Sequence, residues 1–350
     1  MSIAISNIGL VSCNGLDVVT SCASMRAGVS RSSDLNCSVL IEEELEEEKI
    51  TGFPINGFTS GFQGLALYLK LANAAIEDML KYQKLNFSVL SDLDLYICLP
   101  EIKSEEHFDI NNLLYQEFPS RLASMFPGNI NNKKIELFPD GHVSTLKALK
   151  YLDSQIENGK TNGAIIVSVD SLVNSTDIQY YASQGRLKTP NSPVGIMPGE
   201  AAVAMVVTSE NYANLNQIEV NALIHQLTLV HDENNFLSDQ PIYGSTIAEL
   251  FCLATEGNGI AEFYIDLDGD KQRAVDWGHG STILNERLTT MPTKMNCPSE
   301  FLGNTGAASA AIAVCNSIRS FARRYSIESS ILILSNSESG ERGAAIVTAV

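Results

Sequence analysis

Short apolar runs and longer amphipathic stretches alternate along the 350 residues of this chain. Runs rich in Ile, Val and Leu that are bounded by Gly, Pro or Asn predict buried strands, and stretches with apolar residues every three or four positions predict helices. The expected strands lie at 2–12, 93–99, 135–138, 163–169, 193–208 (after a glycine turn), 218–224, 262–267, 330–335 and 343–349. The expected helices lie at 17–27, 63–84, 143–157, 244–256 and from the turn at 303–306 to about 324.

One segment has the order strand, tight turn, helix, strand. Residues 135–138 are the first strand, 139–142 the turn, 143–157 the helix and 163–169 the second strand. This order is a βαβ crossover, which implies a parallel pair of strands. The second half of the chain repeats the theme, so the pattern predicts an α/β fold made of two duplicated α/β/α layered halves.

Polar tracts mark the expected boundaries of these halves. Residues 209–217 separate an N-terminal half, 1–210, from a C-terminal half, 211–350, and inserted loops are expected near 35–60 and 101–130. The carboxylate run at 41–49 is expected to be a solvated loop or a frayed helix, with a charged docking surface as the alternative.

Charge and cysteine usage exclude several classes of function. The net charge of −18 makes nucleic acid and anionic membranes poor partners, and no apolar run reaches the length of a membrane span. The N-terminus lacks the basic region of a signal peptide, so a cytoplasmic protein is expected. Seven scattered cysteines and five histidines show no metal-ligand spacing, which predicts reduced thiols, no metal site and no cofactor.

The turn Gly303-Asn304-Thr305-Gly306 runs directly into a helix rich in Ala and Ser. Asn or Thr in such a place is first of all a helix cap. The alternative is an active-site turn, because small residues let a backbone approach a helix start, where negative charge is stabilised.

Four motifs in matching order resemble those of the thiolase-fold superfamily, and more narrowly the β-ketoacyl synthases. They are IAISNIGLVSCNGLDVVTSCASMRAGVS near the N-terminus, GIMPGEAAVAMVV at 195–207, GNTGAAS at 303–309 and the ending ILILSNSESGERGAAIV. The resemblance covers most of the chain except about 35–60 and 101–130. It implies the duplicated αβαβα thiolase fold, and a homodimer formed by sheets that extend across a two-fold axis.

The resemblance also implies where the catalytic set would lie. His142 takes the position of the family's cysteine, Asp268 or a neighbour takes that of its first histidine, and Asn304 keeps the form used by the initiating synthases. Gly303, Thr305 and Gly340 are expected in turns around the oxyanion position. Without a cysteine no acyl-enzyme can form, which leaves His142 either as a replacement nucleophile or base, or as a turn residue that fills a vacated pocket.

The alternating Asp266, Asp268 and Asp270 resemble the start of a calcium loop, but position 277 holds Trp277 where such a loop needs Glu. A polar turn at a strand end is therefore expected, with Trp277 packed against it or, alternatively, anchoring an interface. Glu200 is expected to have a structural role.

Three functions compete. The first is a catalytically inactive adaptor, chaperone or assembly partner. The combination Asp266 to Gly269 with Asp276-Trp277-Gly278 resembles synthase-like bacterial proteins encoded beside type VI secretion cargo, which makes a secreted protein the implied partner. The second is an acyltransferase with a non-cysteine site, and the third is a subunit like a chain length factor. Acyl-CoA or an acyl carrier protein is a partner only under these alternatives.

Overall fold

The structure, a computed structural model, describes residues 3–41, 46–83, 85–102, 105–126, 134–238, 240–256 and 259–350. The first half contains β1 (Ile3–Ser12), α1 (Val18–Arg26), β2 (Ser33–Ile41), β3 (Glu46–Gly52), α2 (Gly64–Tyr82), α3 (Phe87–Asp92), β4 (Asp94–Cys98), α4 (Glu105–Met125), β5 (Ile135–Phe138), α5 (Ser144–Glu157), β6 (Gly163–Ser171), α6 (Ser175–Ser183), β7 (Glu200–Ser209) and α7 (Glu210–Leu215). The second half contains β8 (Ala222–His231), α8 (Ser245–Thr255), β9 (Glu262–Tyr264), α9 (Lys271–Arg287), β10 (Lys294–Asn296), α10 (Ser299–Leu302), α11 (Ser309–Ala322), β11 (Ser330–Asn336) and β12 (Glu341–Ala349).

Ten of the described strands form one mixed sheet whose two halves have the same order. From the centre outwards the first half runs β1-β7-β6-β4-β5 and the second runs β8-β12-β11-β9-β10. The halves meet where Ile3 to Ile5 of β1 pair antiparallel with Ala222 to Ile224 of β8. The α/β class and the duplication expected from the sequence are confirmed.

The βαβ unit is present with one strand between its two ends. β5 and β6 each pair in parallel with β4, so the strands that α5 connects are parallel but are not neighbours. The predicted parallel pair therefore needs this correction. It arises because β4, the apolar run at 93–99, inserts between them.

Two helices are packed between the halves of the sheet. α5 and α11 contribute Leu146, Leu149, Ile312 and Cys315 to a core that also holds inward-facing residues of both halves, such as Ile166. α2 and α4 cover the outer face of the first half, and α8 and α9 cover that of the second. Strands covered on both faces need continuous apolar runs, as this sequence has.

Three expectations were wrong in detail. Part of the run at 41–49 belongs to the hairpin of β2 and β3, not to a loop or frayed helix; residues 42–45 lie outside the described residues. The insertion near 101–130 contains the helix α4. The turn at 266–270 leads into α9, which carries Trp277, so this tryptophan packs from a helix against Phe263 with ring centroids 5.3 Å apart.

Candidate functional site

Each half contains the same junction between a turn and a buried helix. Gly141 (φ 56°) and Gly306 (φ 45°) are both left-handed, and each starts a 3₁₀ turn that leads directly into α5 or α11. In both junctions the N–H of the following serine, Ser144 or Ser309, donates to the carbonyl of that glycine. His142 in the first junction therefore corresponds to the residue after Gly306 in the second, which is Ala307.

Polar groups of the chain itself occupy the start of α11. Asp170 accepts a hydrogen bond from the N–H of Ala307 at 2.8 Å, and Oδ1 of Asn304 accepts one from the N–H of Gly306 at 2.8 Å. A Cβ at Gly306 would lie 1.9 Å from the Asp170 carboxylate. A carboxylate at a helix N-terminus is favourable, and here it takes an amide that could otherwise stabilise an oxyanion.

His142, Asp268 and Asn304, the three site positions predicted from the sequence, meet in one buried cluster around Arg273. Nη2 of Arg273 lies 3.1 Å from Nδ1 of His142, and its Nε lies 3.3 Å from Oδ2 of Asp268. The same carboxylate oxygen accepts from Nδ2 of Asn304 at 2.5 Å. All four side chains are buried. The arginine that joins them was missed from the sequence.

Arg273 is held between two carboxylates. Its Nη1 lies 3.2 Å from Oδ2 of Asp266 and donates to the carbonyl of Asn336 at 2.7 Å. Burial raises the pKa of Asp268 to about 6, although Arg273 lowers it; Asp270 raises it further. The guanidinium thus contacts two of the three positions predicted from the sequence, His142 and Asp268.

Two other arginines have the same arrangement nearby. Arg186 pairs with Asp270 and with Glu338, the latter at 3.0 Å from Nη2 to Oε1. Arg342 pairs with Asp276 and with Asp232, the latter at 2.8 Å from Nη2 to Oδ2. We call the three arginines, each held by two carboxylates, the double clamps. Their six carboxylates are Asp232, Asp266, Asp268, Asp270, Asp276 and Glu338.

The predicted turn residues divide between two places. Gly303 (φ 70°) and Thr305 flank Asn304, and a Cβ at Gly303 would lie 2.6 Å from the carbonyl oxygen of Met197. Gly340 (φ 102°) lies elsewhere, in the turn between β11 and β12, where a Cβ would lie 2.2 Å from the carbonyl oxygen of Asp232. It permits close approach of two backbones and lines neither cavity beside His142.

Both of these cavities are too small for a substrate. The one that His142, Asp268 and Asn304 line has about 20 Å³ of space for water centres, and the one on the side of Glu101 and Glu338 has about 10 Å³. One ordered water needs roughly 10–15 Å³ by this measure. In this conformation the site has room for about one water molecule and none for an acyl chain.

The buried thiols of Cys22, Cys98, Cys297 and Cys315 are not poised as nucleophiles. Cys98 is the nearest to the α5 junction and interacts with Ser144, Thr145 and Ser168, but burial raises its pKa to about 12. Burial also raises the pKa of Cys22 and Cys297 to about 12. The thiol groups are therefore protonated, as expected for cysteines in an apolar core.

Within the described residues, no group of three or more His, Cys, Asp or Glu side chains could hold a metal ion. Asp266, Asp268 and Asp270, which alternate along the chain, turn instead to the cations of Arg273 and Arg186. Among the same residues, no helix is long and apolar enough to cross a membrane.

Comparison with known structures identifies the fold of this chain. No family model and no curated protein matches the chain. The ketosynthase from module 6 of the bacillaene synthase of Bacillus subtilis 168 has a TM-score of 0.77 and 13% identity, over 100% of this chain and 72% of that one. The ishigamide ketosynthase/chain length factor has a TM-score of 0.77 and 17% identity, over 100% and 99% of the two chains.

A beta-ketoacyl synthase from Burkholderia phymatum STM815 has a TM-score of 0.72 and 14% identity, over 100% of this chain and 99% of that one. The likeness to each of these structures covers 100% of this chain. The chain therefore has the fold of the ketosynthases, which is the thiolase fold that its sequence motifs predict.

Proposed function

We propose that this chain is a non-catalytic ketosynthase-fold protein that acts by binding another protein. The observation that carries the proposal is the position of Arg273, which lies between His142 and Asp268 with Asn304 bonded to the same carboxylate. The positions that the resemblance assigns to catalysis are joined to one another by an ion pair. These contacts support a structural role for the three positions.

The charges in the site support this proposal. A condensation or acyl transfer needs a nucleophile with a lone pair and donors aimed at the developing oxyanion. Here the amide of Ala307 donates to Asp170, and Asp268 presents a carboxyl group where a proton donor is needed. Without Arg273, the side chains of Asp266 and Asp268 would have no cation beside them and would oppose negative charge developing there.

A secreted cargo protein is the partner class that the resemblance favours. Residues 266–269 and 276–278, on which that resemblance rests, have buried carboxylates that clamp Arg273 and Arg342. These carboxylates form ion pairs inside the fold, so the cargo would bind elsewhere on the surface. Co-expression with the product of a neighbouring gene, followed by co-purification, tests this class of partner directly.

A second candidate is a subunit that pairs with an active synthase or with its own copy. The ishigamide structure contains a ketosynthase and a chain length factor.

In the described part of this chain, β5 is the last strand of the sheet and pairs only with β4. An edge strand is a template for pairing with another chain, so we propose a homodimer through β5. Light scattering would detect it, and a monomeric mass at all concentrations would contradict it.

The decisive experiment for the first candidate is incubation with acetyl-CoA and malonyl-CoA followed by intact-mass measurement. We expect no covalent adduct and no release of free CoA above the level seen with His142→Ala. A stoichiometric adduct that is lost in His142→Ala would overturn the proposal in favour of an acyltransferase. An adduct that survives in His142→Ala and maps to a cysteine would likewise restore an enzymatic role.

A further inference from the structure

Arginines without an acidic partner lie together where α1 passes the C-terminal end of α11. Within the part of the chain that the structure describes, four arginines form ion pairs with carboxylates: Arg121, Arg186, Arg273 and Arg342. Arg26, Arg319 and Arg323 form none with the residues that the structure describes. In a chain of net charge −18, carboxylates are abundant. Arg31, Arg287 and Arg324 form no such pair with the described residues either, so what distinguishes Arg26, Arg319 and Arg323 is that all three line one depression.

These arginines line one continuous groove, which we call the arginine groove. It consists of three adjoining depressions of about 350, 500 and 560 Å³. The first two share Arg26 and Tyr325, and the last two share Arg319 and Arg323. The groove follows α1, whose nine residues span roughly 14 Å at 1.5 Å per residue. A groove of this length suits a peptide segment better than a compact ligand.

Aromatic rings hold two of the cations in place. The guanidinium carbon of Arg26 lies 3.9 Å from the ring centroid of Tyr325, and Nη1 of Arg319 lies 3.3 Å from the hydroxyl oxygen of Tyr82. Stacking on a ring leaves the N–H donors in the plane of the guanidinium available for a carboxylate. Val19 and Met295 add exposed apolar surface, with 43% and 46% of their surface accessible.

We propose that the arginine groove binds a short acidic segment of a partner protein. Charge complementarity selects a carboxylate-bearing peptide. The first two depressions expose Arg26, Arg319 and Arg323 with a single carboxylate, Glu300, whereas Asp17, Asp78 and Glu219 line the third. The acidic segment therefore lies along the first two depressions, and a nucleic acid is tested as a competing ligand below. The inference deepens the proposed function and rests on it only for the statement that the natural ligand is a protein.

The test is fluorescence anisotropy with a fluorescein-labelled peptide of six consecutive glutamates, in about 50 mM salt so that screening is weak. The matched peptide has glutamine at all six positions. The variant Arg26→Glu/Arg323→Glu reverses two exposed charges of the groove. The control variant Arg121→Glu/Arg287→Glu reverses two exposed arginines on α4 and α9, and so changes the net charge equally.

We expect the unaltered protein and the control variant to bind the glutamate peptide alike, and the groove variant to bind it at least about tenfold more weakly. Equal weakening in both variants, equal binding of the glutamine peptide, or tighter binding of a 12-nucleotide oligothymidylate would each overturn the proposal. Anisotropy does not depend on acyl transfer. An acyl adduct would therefore overturn the proposed function but not the proposal for the arginine groove. Equal binding by the groove variant and the control variant would overturn the proposal for the arginine groove but not the proposed function.

Discussion

Arg273 donates an N–H to Nδ1 of His142 at 3.1 Å, and this contact determines the state of the imidazole. A guanidinium has only donors, so Nδ1 must accept and the ring proton of a neutral imidazole resides on Nε2. One ring nitrogen has its lone pair in the hydrogen bond and the other carries a proton. His142 therefore has no lone pair to offer as nucleophile or base while Arg273 is in place.

Loss of the central cation should destabilise the fold strongly. Arg273→Ala leaves Asp266 and Asp268 buried without their cation, and breaking a buried pair costs about 3–5 kcal/mol. Arg287→Ala, at an exposed position of the same helix, should change the free energy of unfolding by less than about 0.5 kcal/mol. Urea denaturation measures both. Equal stability of the two variants would show that water replaces the guanidinium without cost.

The stability of the protein should fall between pH 4 and pH 7 because of Asp268. Burial raises the pKa of this group to about 6, so the folded state binds its proton more tightly than the unfolded chain does. The resulting stabilisation is complete below the unfolded pKa of about 4 and is lost as the pH rises through 6. The difference of about two between the pKa of Asp268 in the folded and in the unfolded state corresponds to at most about 3 kcal/mol in the free energy of unfolding.

Urea midpoints at pH 4, 5, 6 and 7 for the unaltered protein and for Asp268→Asn isolate this titration. The stability difference between the two proteins should shift by roughly 1–3 kcal/mol over the range, because only one of them carries the group. Asp34→Asn removes an exposed carboxylate and serves as the control. A difference that is constant with pH would show that Asp268 stays ionised throughout.

Two glycines should respond to alanine in opposite directions. Gly306→Ala places a methyl group 1.9 Å from the Asp170 carboxylate at φ 45°, so it should cost at least about 2 kcal/mol. Gly278→Ala, in α9 with open space around it, should stabilise the protein by about 0.5–1 kcal/mol through helix propensity. Thermal unfolding distinguishes the two. A tolerated Gly306→Ala would mean that the capping carboxylate can move away.

Alkylation should find few reactive thiols in the folded protein. Cys22, Cys98, Cys297 and Cys315 are buried and have raised pKa values, so iodoacetamide at pH 8 should not reach them. At most three adducts are expected, at the partly exposed cysteines, compared with seven in denaturant. Peptide mapping identifies the sites. Rapid labelling of Cys98 in the native state would point to a thiolate next to the α5 junction.

Most of the fold prediction was based on strong apolar periodicity, which did not predict α9. This helix buries Arg273 and Asp276, which are charged, and it contains Gly278 and Gly280. Its inward face is polar because it supplies ion pairs to the core, so the spacing of apolar residues could not reveal it. α4 was missed for a related reason, since Pro119 lies inside it and prolines normally mark helix ends.

The site was predictable only as far as the resemblance reached. His142, Asp268 and Asn304 were placed by motif, and the structure brings them together, but their chemical roles stay predictions. The double clamps could not be read from local spacing. Arg342 and Asp276, for example, are 66 residues apart in the chain. A signal was present in the three alternating aspartates, since carboxylates that follow a buried strand need cations nearby.

The duplicated junction allows the turn at His142 to be compared with a second turn in the same molecule. The turn that starts α11 has the same backbone as the turn that starts α5, yet it carries Ala307 where the first carries His142. A methyl group is thus sufficient to build this turn. The backbone of the turn therefore does not require an imidazole at position 142, where the side chain instead accepts a hydrogen bond from Arg273.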